Sequence, residues 1–207
     1  MIIAIEGIDG AGKATAARRL SATLRAAGRT VLDIAFPRYE VPPYGPLLRD
    51  SLRDASGGAA AARARALLFA LDRYAATPDI TAANAHGDVV IDRWVWSNAA
   101  YLAGQLGEAA SDWIVDLEIT QLGLPVPDVT VLVAGAVDTT RARVRHRASH
   151  SERVVDVLEQ QVSVQQGAAA SYEDFADALG WTIVRNSGTV GQYHAAIDAV
   201  AQQLLAR

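Results

Sequence analysis

Short apolar segments alternate with longer helix-forming segments along the whole chain. The apolar segments predict strands at residues 2–6, 31–36, 88–92, 129–133 and 181–184. Helix-forming segments lie between and after them, including 13–27, 59–76 and 190–205. Because strands that alternate with helices form parallel sheets covered on both faces, the pattern predicts an α/β fold with a five-stranded parallel sheet flanked by helices.

Breaker residues refine the boundaries of these helices. Thr77 and Pro78 predict the N-cap and first position of a separate short helix, so the preceding helix is expected to end at residue 76. Helices are also predicted at 97–106, at 109–122, at 139–147 and in a long segment ending at 179, and 47–52 predicts a helical turn. Since no repeat or linker divides the chain, we expect a single domain over residues 1–207.

Composition narrows the class of protein. The 207 residues are 51% hydrophobic, enough for a full core, and the absence of cysteine excludes disulfides and thiolate metal sites. A formal charge of −4 disfavours general nucleic-acid binding. The first residues lack the cationic stretch of a signal peptide, and no apolar segment is long enough to span a bilayer. We therefore expect a cytoplasmic protein without nucleic-acid or membrane partners.

Lys13 is the only lysine of the chain, and it closes a glycine-rich loop between the first predicted strand and helix. Residues 7–13, GIDGAGK, have the spacing of a phosphate-binding loop, G-x-x-x-x-G-K. Backbone amides of such a loop bind phosphates, and a thin lysine fits between two phosphates where the broad fork of arginine does not. The loop predicts binding of ATP by Gly7, Ile8, Asp9, Gly10, Ala11, Gly12, Lys13, Ala14 and Thr15.

The loop departs from its usual pattern at the position that binds Mg²⁺. A serine or threonine commonly follows the lysine, but here Ala14 follows it and Thr15 comes one residue later. Asp9 could hold the ion or could cap nearby amides. Asp92, at the carboxyl end of the third predicted strand, could polarise the metal, accept a proton, or form a structural ion pair.

Several segments together resemble the thymidylate kinase family, especially its actinobacterial form. They are EGIDGAGKAT at 6–15, FPRY at 36–39, FALDR at 69–73, DR at 92–93 and SNAAY at 97–101. The resemblance covers almost the whole chain. It implies a P-loop NTPase fold with a short arginine-rich lid at about 141–155, a homodimer formed by helix packing, and in-line transfer of a phosphoryl group from ATP, with Mg²⁺, to dTMP.

The resemblance also implies an acceptor site. Phe69 would stack on thymine, Arg73 would bind its O4, Asn98 would read the imide edge, and Tyr101 would crowd the 2′ position of the sugar. Arg38, Tyr39 and Arg93 would hold the 5′-phosphate beside Phe36, and Ser97 would add a polar contact. From the residues alone, Phe69 could equally belong to the core, Tyr101 could be an amphipathic interface side chain, and Ser97 could be a helix N-cap.

The lid would supply further charge. Because Gly10 and Ala14 leave the loop without an arginine, the resemblance assigns that role to the lid, with Arg153 and Arg147 as first choices. Lys13, Asp9, Arg93 and Arg153 form the predicted catalytic set, and Asp9, Asp92 and Glu159 the predicted metal ligands. Glu159 could instead position the acceptor sugar or belong to a solvated acidic helix face. The chain has Trp94 and Leu158 where the family often has aromatic residues of its own, tyrosine in the first case.

Two alternatives stay open at this point. A kinase of another nucleoside monophosphate, such as dUMP or CMP, would share the loop and lid, although Arg73 favours a 4-oxo over a 4-amino pyrimidine. A nucleotide-dependent switch would need only the loop. However, a chain with one lysine has no N-K-x-D tetrapeptide for reading guanine.

Overall fold

A five-stranded, all-parallel sheet forms the centre of the protein, as the sequence predicts. The computed structural model describes residues 1–53, 57–137, 140 and 161–206. The strands are β1 (Ile2–Glu6), β2 (Val31–Ala35), β3 (Asp88–Asp92), β4 (Val129–Ala134) and β5 (Thr182–Arg185). Their order is β2-β3-β1-β4-β5. The central β1 therefore ends, with β3 and β4, at the edge where ligands bind in such sheets.

Helices cover both faces of this sheet. They are α1 (Lys13–Ala26), α2 (Tyr44–Ser51), α3 (Gly58–Asn84), α4 (Val95–Leu106), α5 (Glu108–Val115), α6 (Val162–Leu179) and α7 (Val190–Leu205). Of these helices, none combines the length and apolar character needed to cross a membrane. The predicted lid and nearly all of the arginine-rich helix at 139–147 lie outside the described residues, so the single-domain boundary stays a prediction.

The alternation of side chains along β1 explains why both faces need helices. Ile3 and Ile5 pack in one buried cluster with residues of α1 and α7, while Ile2 and Ala4 pack in another with residues of α3. All four side chains are almost fully buried. A strand without a solvent-facing side lies in the middle of a three-layer sandwich, and its carboxyl end is held firmly in place.

The prediction of a separate helix at Pro78 is wrong, because α3 continues through this residue to Asn84. A proline inside a helix costs about 3 kcal/mol through its missing N–H and a steric clash. Thr77 Oγ1 donates a hydrogen bond of 3.2 Å to the carbonyl of Arg73, and Ala76 and Ile80 are completely buried. Packing on the sheet therefore outweighs the local preference to end the helix.

The predicted helix at 109–122 is divided in the structure. After α5, the segment Asp116–Gln121 forms a turn of π-helix. This wider turn contains Glu118, whose side chain is completely buried and faces α3 and α4. A π-helical turn often occurs at a functional site, and this one supplies the carboxylate described below.

Candidate active site

The phosphate loop follows β1 and needs glycine at two of its positions for steric reasons. Gly7 has a φ of 138°, and a Cβ there would lie 2.4 Å from the carbonyl oxygen of Val133. Gly12 has a φ of 111°, and a Cβ there would lie 2.8 Å from the side-chain nitrogen of Asn186. The loop thus fits closely against β4 and the residues after β5.

Two side chains from the end of the chain fasten the loop. Asn186 Nδ2 donates a hydrogen bond of 2.6 Å to the carbonyl of Ala11, and the Tyr193 hydroxyl donates one of 2.9 Å to the carbonyl of Gly12. Neither residue is predicted from the sequence. They belong to no motif, and a separation of more than 170 residues leaves no local signal.

Lys13 begins α1 and lies almost enclosed, with 6% of its surface exposed. Its Nζ donates a hydrogen bond of 2.8 Å to the carbonyl of Ile8, across the loop. Burial and the charge of Arg93 lower the pKa of Lys13 to about 8, although Asp9, Asp92 and Glu6 oppose this shift. The neighbouring carboxylates therefore do not fully compensate the charge of the amine, which lies where phosphates would bind.

Asp9, Arg93 and Tyr101 form a connected group beside Lys13. Arg93 Nη2 donates a hydrogen bond to Asp9 Oδ1, and the Tyr101 hydroxyl donates one of 2.5 Å to Asp9 Oδ2. The guanidinium of Arg93 also lies 5.3 Å from the centre of the Tyr101 ring. Burial alone would raise the pKa of Asp9, but Arg93, Lys13 and the Tyr101 hydrogen bond outweigh it and hold the pKa below its usual range.

Arg93 itself has an unusual backbone conformation. Its φ is 71°, the only positive φ of a non-glycine residue among the residues that the structure describes. Its side chain donates a hydrogen bond of 3.2 Å from Nη1 to the Ser97 hydroxyl. Ser97 lies in the first turn of α4, which begins at Val95, so the alternative that Ser97 is the N-cap is wrong.

The opposite end of the site is built around Glu118. Arg73 pairs with it through two hydrogen bonds of 2.6 Å, from Nε to Oε2 and from Nη2 to Oε1. Asn98 Nδ2 donates to Glu118 Oε1 at 2.7 Å and to the carbonyl of Ala66 at 2.9 Å. Both partners of Asn98 are obligate acceptors, so the orientation of the amide is fixed and its Oδ1 is left to accept a hydrogen bond.

A single cavity of about 440 Å³ connects the two ends. Most of the predicted site residues line it: Asp9, Gly10, Gly12, Lys13, Ala14, Thr15, Phe36, Tyr39, Phe69, Arg73, Asp92, Arg93, Ser97, Asn98 and Tyr101. Gly7, Ile8 and Ala11 belong to the loop but lie behind this surface. Phe69 both lines the cavity and packs against the core, so its two interpretations are compatible.

The cavity continues one helical turn beyond the residues that the motifs indicate. Arg65 of α3 and Gln105 of α4 line it together with Pro37, Ala62, Ala66 and Leu102. Arg65 Nη2 donates a hydrogen bond of 3.3 Å to Gln105 Oε1. Residues 65 and 105 lie four positions from Phe69 and Tyr101, so helical spacing would have been enough to find them.

Some predicted residues lie elsewhere. Arg38 is not among the residues that line the cavity; its Nε donates a hydrogen bond of 2.9 Å to Asp72, and its guanidinium lies 5.4 Å from the centre of the Phe36 ring. Its assignment to the acceptor phosphate stays a prediction. Arg147, Arg153 and Glu159 lie outside the described residues, and so does Leu158.

A small number of carboxylates make the site suitable for binding a hard cation. Asp92 Oδ1 is buried and has no hydrogen-bond partner among the described residues. Oxygen of this kind is what Mg²⁺ prefers, and this ion is commonly held by one or two carboxylates together with substrate phosphates. Within the described part of the chain, no group of three or more histidine, cysteine, aspartate or glutamate residues could form a metal site alone.

The parallel sheet, the loop after its central strand and the lysine at the start of α1 define a P-loop nucleotide-binding protein. A sequence profile of the family described as thymidylate kinase matches residues 5–197. The chain belongs to the thymidylate kinase family, and the resemblance predicted from the motifs is confirmed.

Individual relatives agree with this assignment. Thymidylate kinases from two strains of Mycobacterium tuberculosis are 43% identical over 188 residues, which are 87% of this chain and 87% of theirs. One from Bifidobacterium longum subsp. infantis is 35% identical over 213 residues, 99% of this chain and 87% of that protein. One from Xanthomonas oryzae pv. oryzae is 40% identical over 151 residues, 71% of this chain and 61% of that protein.

Proposed function

We propose that this protein is a dTMP kinase, which transfers the γ-phosphoryl group of ATP to thymidine monophosphate and yields dTDP for dTTP synthesis. The observation that carries the proposal is the single cavity that joins the phosphate loop to Phe69, Arg73 and Asn98. Family membership supports the same activity. A switch protein would have no use for a second site of this kind next to the loop.

On the donor side, the chain supplies positive charge and orientation. The amides of the phosphate loop and the start of α1 would bind the phosphates, and Lys13 would turn from the carbonyl of Ile8 to the β- and γ-phosphates. Arg93 would hold the acceptor phosphate in line with the bond that breaks. A lid arginine, Arg153 or Arg147, would add charge to the transferring group and help to exclude water.

Mg²⁺, when bound, neutralises charge on the phosphate oxygens. We propose Asp9 and Asp92 as its protein ligands, since Asp9 is held ionised by Arg93 and Lys13 and Asp92 has an unpaired buried oxygen. Glu159 is proposed as a further ligand on the resemblance alone. Thr15 lines the cavity beside Ala14 but comes one residue after the usual position for a hydroxyl ligand.

On the acceptor side, the fixed amide of Asn98 favours a 4-oxo pyrimidine. Its Oδ1 accepts, so it suits the N3–H of thymine, whereas N3 of cytosine carries no hydrogen. Arg73 keeps N–H groups that Glu118 does not use, and these suit O4 of thymine rather than an amino group. Phe69 would stack on the base and Tyr101 would lie against the sugar.

A panel of nucleoside monophosphates tests the proposal. We expect ADP release from ATP to be fastest with dTMP, slower with dUMP and slowest with CMP, measured in a coupled assay. Lys13→Met should fold like the wild type, judged by circular dichroism, and lose nearly all turnover, since removing one such cation costs about 3 kcal/mol of transition-state stabilisation. Preference for CMP would overturn the acceptor, and hydrolysis indifferent to any monophosphate would favour a switch.

We also propose a homodimer and a cytoplasmic location. The solvent-facing side of α3 exposes Leu67 and Tyr74, which lie seven residues apart and hence on one face of the helix, with 40% and 49% of their surfaces accessible. Two copies of this face could pack together around a two-fold axis. A cytoplasmic location agrees with the proposed use of ATP and dTMP.

A further inference from the structure

Arg93 is the residue proposed to hold the acceptor phosphate, and two contacts with β1 hold its backbone in place. The N–H of Arg93 donates a hydrogen bond of 3.0 Å to the carbonyl of Ile5. The next N–H, that of Trp94, donates one of 2.9 Å to Oε1 of Glu6. An arginine keeps a left-handed backbone conformation only where its surroundings impose that conformation. These two contacts impose it, and they come from adjacent residues of one strand.

The other oxygen of Glu6 controls the side chain of Arg93 through Ser97. The Ser97 hydroxyl has one proton and donates it to Glu6 Oε2 at 2.5 Å, so its oxygen faces Arg93 Nη1 as an acceptor. The Tyr172 hydroxyl lies 2.8 Å from the Ser97 oxygen and 3.2 Å from Glu6 Oε2. With its proton given to Glu6, Ser97 is available to hold the guanidinium.

We infer that Glu6 is a positioning residue for the acceptor phosphate, because its buried carboxylate fixes both the backbone and, through Ser97, the guanidinium of Arg93. Glu6 touches neither the cavity nor the reacting groups, and its side chain is completely buried at the end of β1. This inference rests on the proposed function, in which Arg93 holds the 5′-phosphate of dTMP.

Glu6→Gln keeps the shape of the side chain and replaces a charged acceptor with a neutral amide that has a donor group of its own. The amide oxygen must face the N–H of Trp94, so the amide nitrogen faces Ser97 and donates to it. Ser97 then accepts from Gln as well as from Arg93, and it no longer donates to a carboxylate that polarises its oxygen, so its contact with Arg93 weakens. Asp88→Asn is the matched control, because Asp88 is also an almost fully buried carboxylate, paired with Arg29 and the N-terminal amine at the opposite end of β3.

The measurement compares binding of dTMP with binding of thymidine, by calorimetry, in the wild type and each variant. We expect Glu6→Gln to weaken dTMP binding about tenfold, the effect of weakening one hydrogen bond to a charged group, and to leave thymidine binding unchanged. Asp88→Asn should alter neither. Ser97→Ala should resemble Glu6→Gln, and the double variant should show less than the sum of the two effects, because both act on one contact.

The possible outcomes separate a failure of the proposed function from a failure of the positioning role of Glu6. If the wild type binds thymidine as tightly as dTMP, Arg93 does not hold the phosphate and the proposed function fails at that point. If the wild type binds dTMP more tightly than thymidine and Glu6→Gln shows the same difference in affinity, the positioning role is refuted. Equal weakening of both ligands would show a merely structural role and would also refute it. Should Glu6→Gln not fold, the same comparison with Ser97→Ala tests the contact through which Glu6 acts, and a variant that discriminates like the wild type would refute the positioning role.

Discussion

Lys13 is nearly enclosed by protein, and the charges around it oppose one another. Burial and Arg93 disfavour the protonated amine, while Asp9, Asp92 and Glu6 favour it, and the balance leaves the pKa at about 8. A bound polyphosphate would add negative charge and return the pKa towards its ordinary value. Nucleotide binding and protonation of this residue are therefore linked.

The linkage gives a prediction with a definite sign. At pH 8 about half of the free protein lacks the proton on Lys13, so binding of ADP should take up about half a proton per site. Calorimetric enthalpies measured at pH 8 in buffers with different ionisation enthalpies report this number. At pH 6.5 Lys13 is already protonated and contributes no uptake. Lys13→Met should show none at pH 8 either, and a wild type without buffer dependence there would contradict the assignment.

Among individual residues, the sequence reveals those that belong to short motifs and hides those that support them. Lys13 is indicated by the spacing of its loop, whereas Phe69, Arg73 and Asn98 are indicated by the resemblance of their segments to the thymidylate kinase family. Asn186 and Tyr193 hold the loop from the other end of the chain. A hydrogen bond to a carbonyl makes no demand on neighbouring residues, so such partners leave no pattern to recognise.

At the scale of elements, the π-helical turn Asp116–Gln121 connects stability with the proposed recognition of the base. Glu118 lies inside it without solvent contact and accepts hydrogen bonds from Arg73 and Asn98. A buried charge that loses its partner is much more costly than a pair replaced together. The turn therefore contributes to stability, and to the proposed recognition of the base, through the carboxylate that it places between α3 and α4.

Removing that carboxylate should separate its effect on the free energy of unfolding from its effect on the preference for dTMP. We expect Glu118→Leu to lower the free energy of unfolding by about 3 kcal/mol, since it leaves Arg73 buried and unpaired. The double variant Glu118→Leu with Arg73→Met should recover much of this loss in urea unfolding. Preference for dTMP over CMP should fall in both variants, because Arg73 is misplaced in one and absent in the other. A double variant as unstable as the single one would contradict this account.

Strands were easier to predict than helix boundaries for a physical reason. A strand buried on both sides has an apolar middle, so β1 and β3 stand out in the sequence at their observed bounds, with charged residues only at their ends. Helix ends depend on contacts that the local sequence does not contain. Pro78 lies inside α3 because Ala76 and Ile80 pack on the sheet, and α5 widens into a π-helical turn where Glu118 meets Arg73.

At the scale of the whole molecule, the exposed apolar face of α3 supports association. We expect the wild type to sediment as a dimer and Leu67→Glu with Tyr74→Glu to sediment as a monomer, because two like-charged pairs would then meet across the interface. Val126→Glu is the control, since Val126 is an exposed apolar residue with 66% accessibility in the loop before β4. A monomeric wild type, or a dimer that survives both changes on α3, would exclude this interface.

The sheet order also explains why donor and acceptor chemistry meet in one place. β1 lies between β3 and β4, so the phosphate loop after β1 is next to Asp92, the last residue of β3, and to Arg93, which follows it. α3 and α4 flank β3 in sequence and supply Phe69, Arg73, Asn98 and Tyr101. The topology therefore places the phosphate loop, the end of β3 and these two helices around one cavity, where we propose that the two substrates meet.

The solitary lysine has a practical consequence for chemical labelling. An acylating reagent needs an uncharged amine, and a pKa of about 8 gives Lys13 of the nucleotide-free protein a larger uncharged fraction than an ordinary lysine has at neutral pH. Since the chain contains no other ε-amine, such a reagent has a single side chain of this type to modify. Among its side chains the protein thus provides one amine, inside the nucleotide cleft, for attaching a fluorophore or affinity tag.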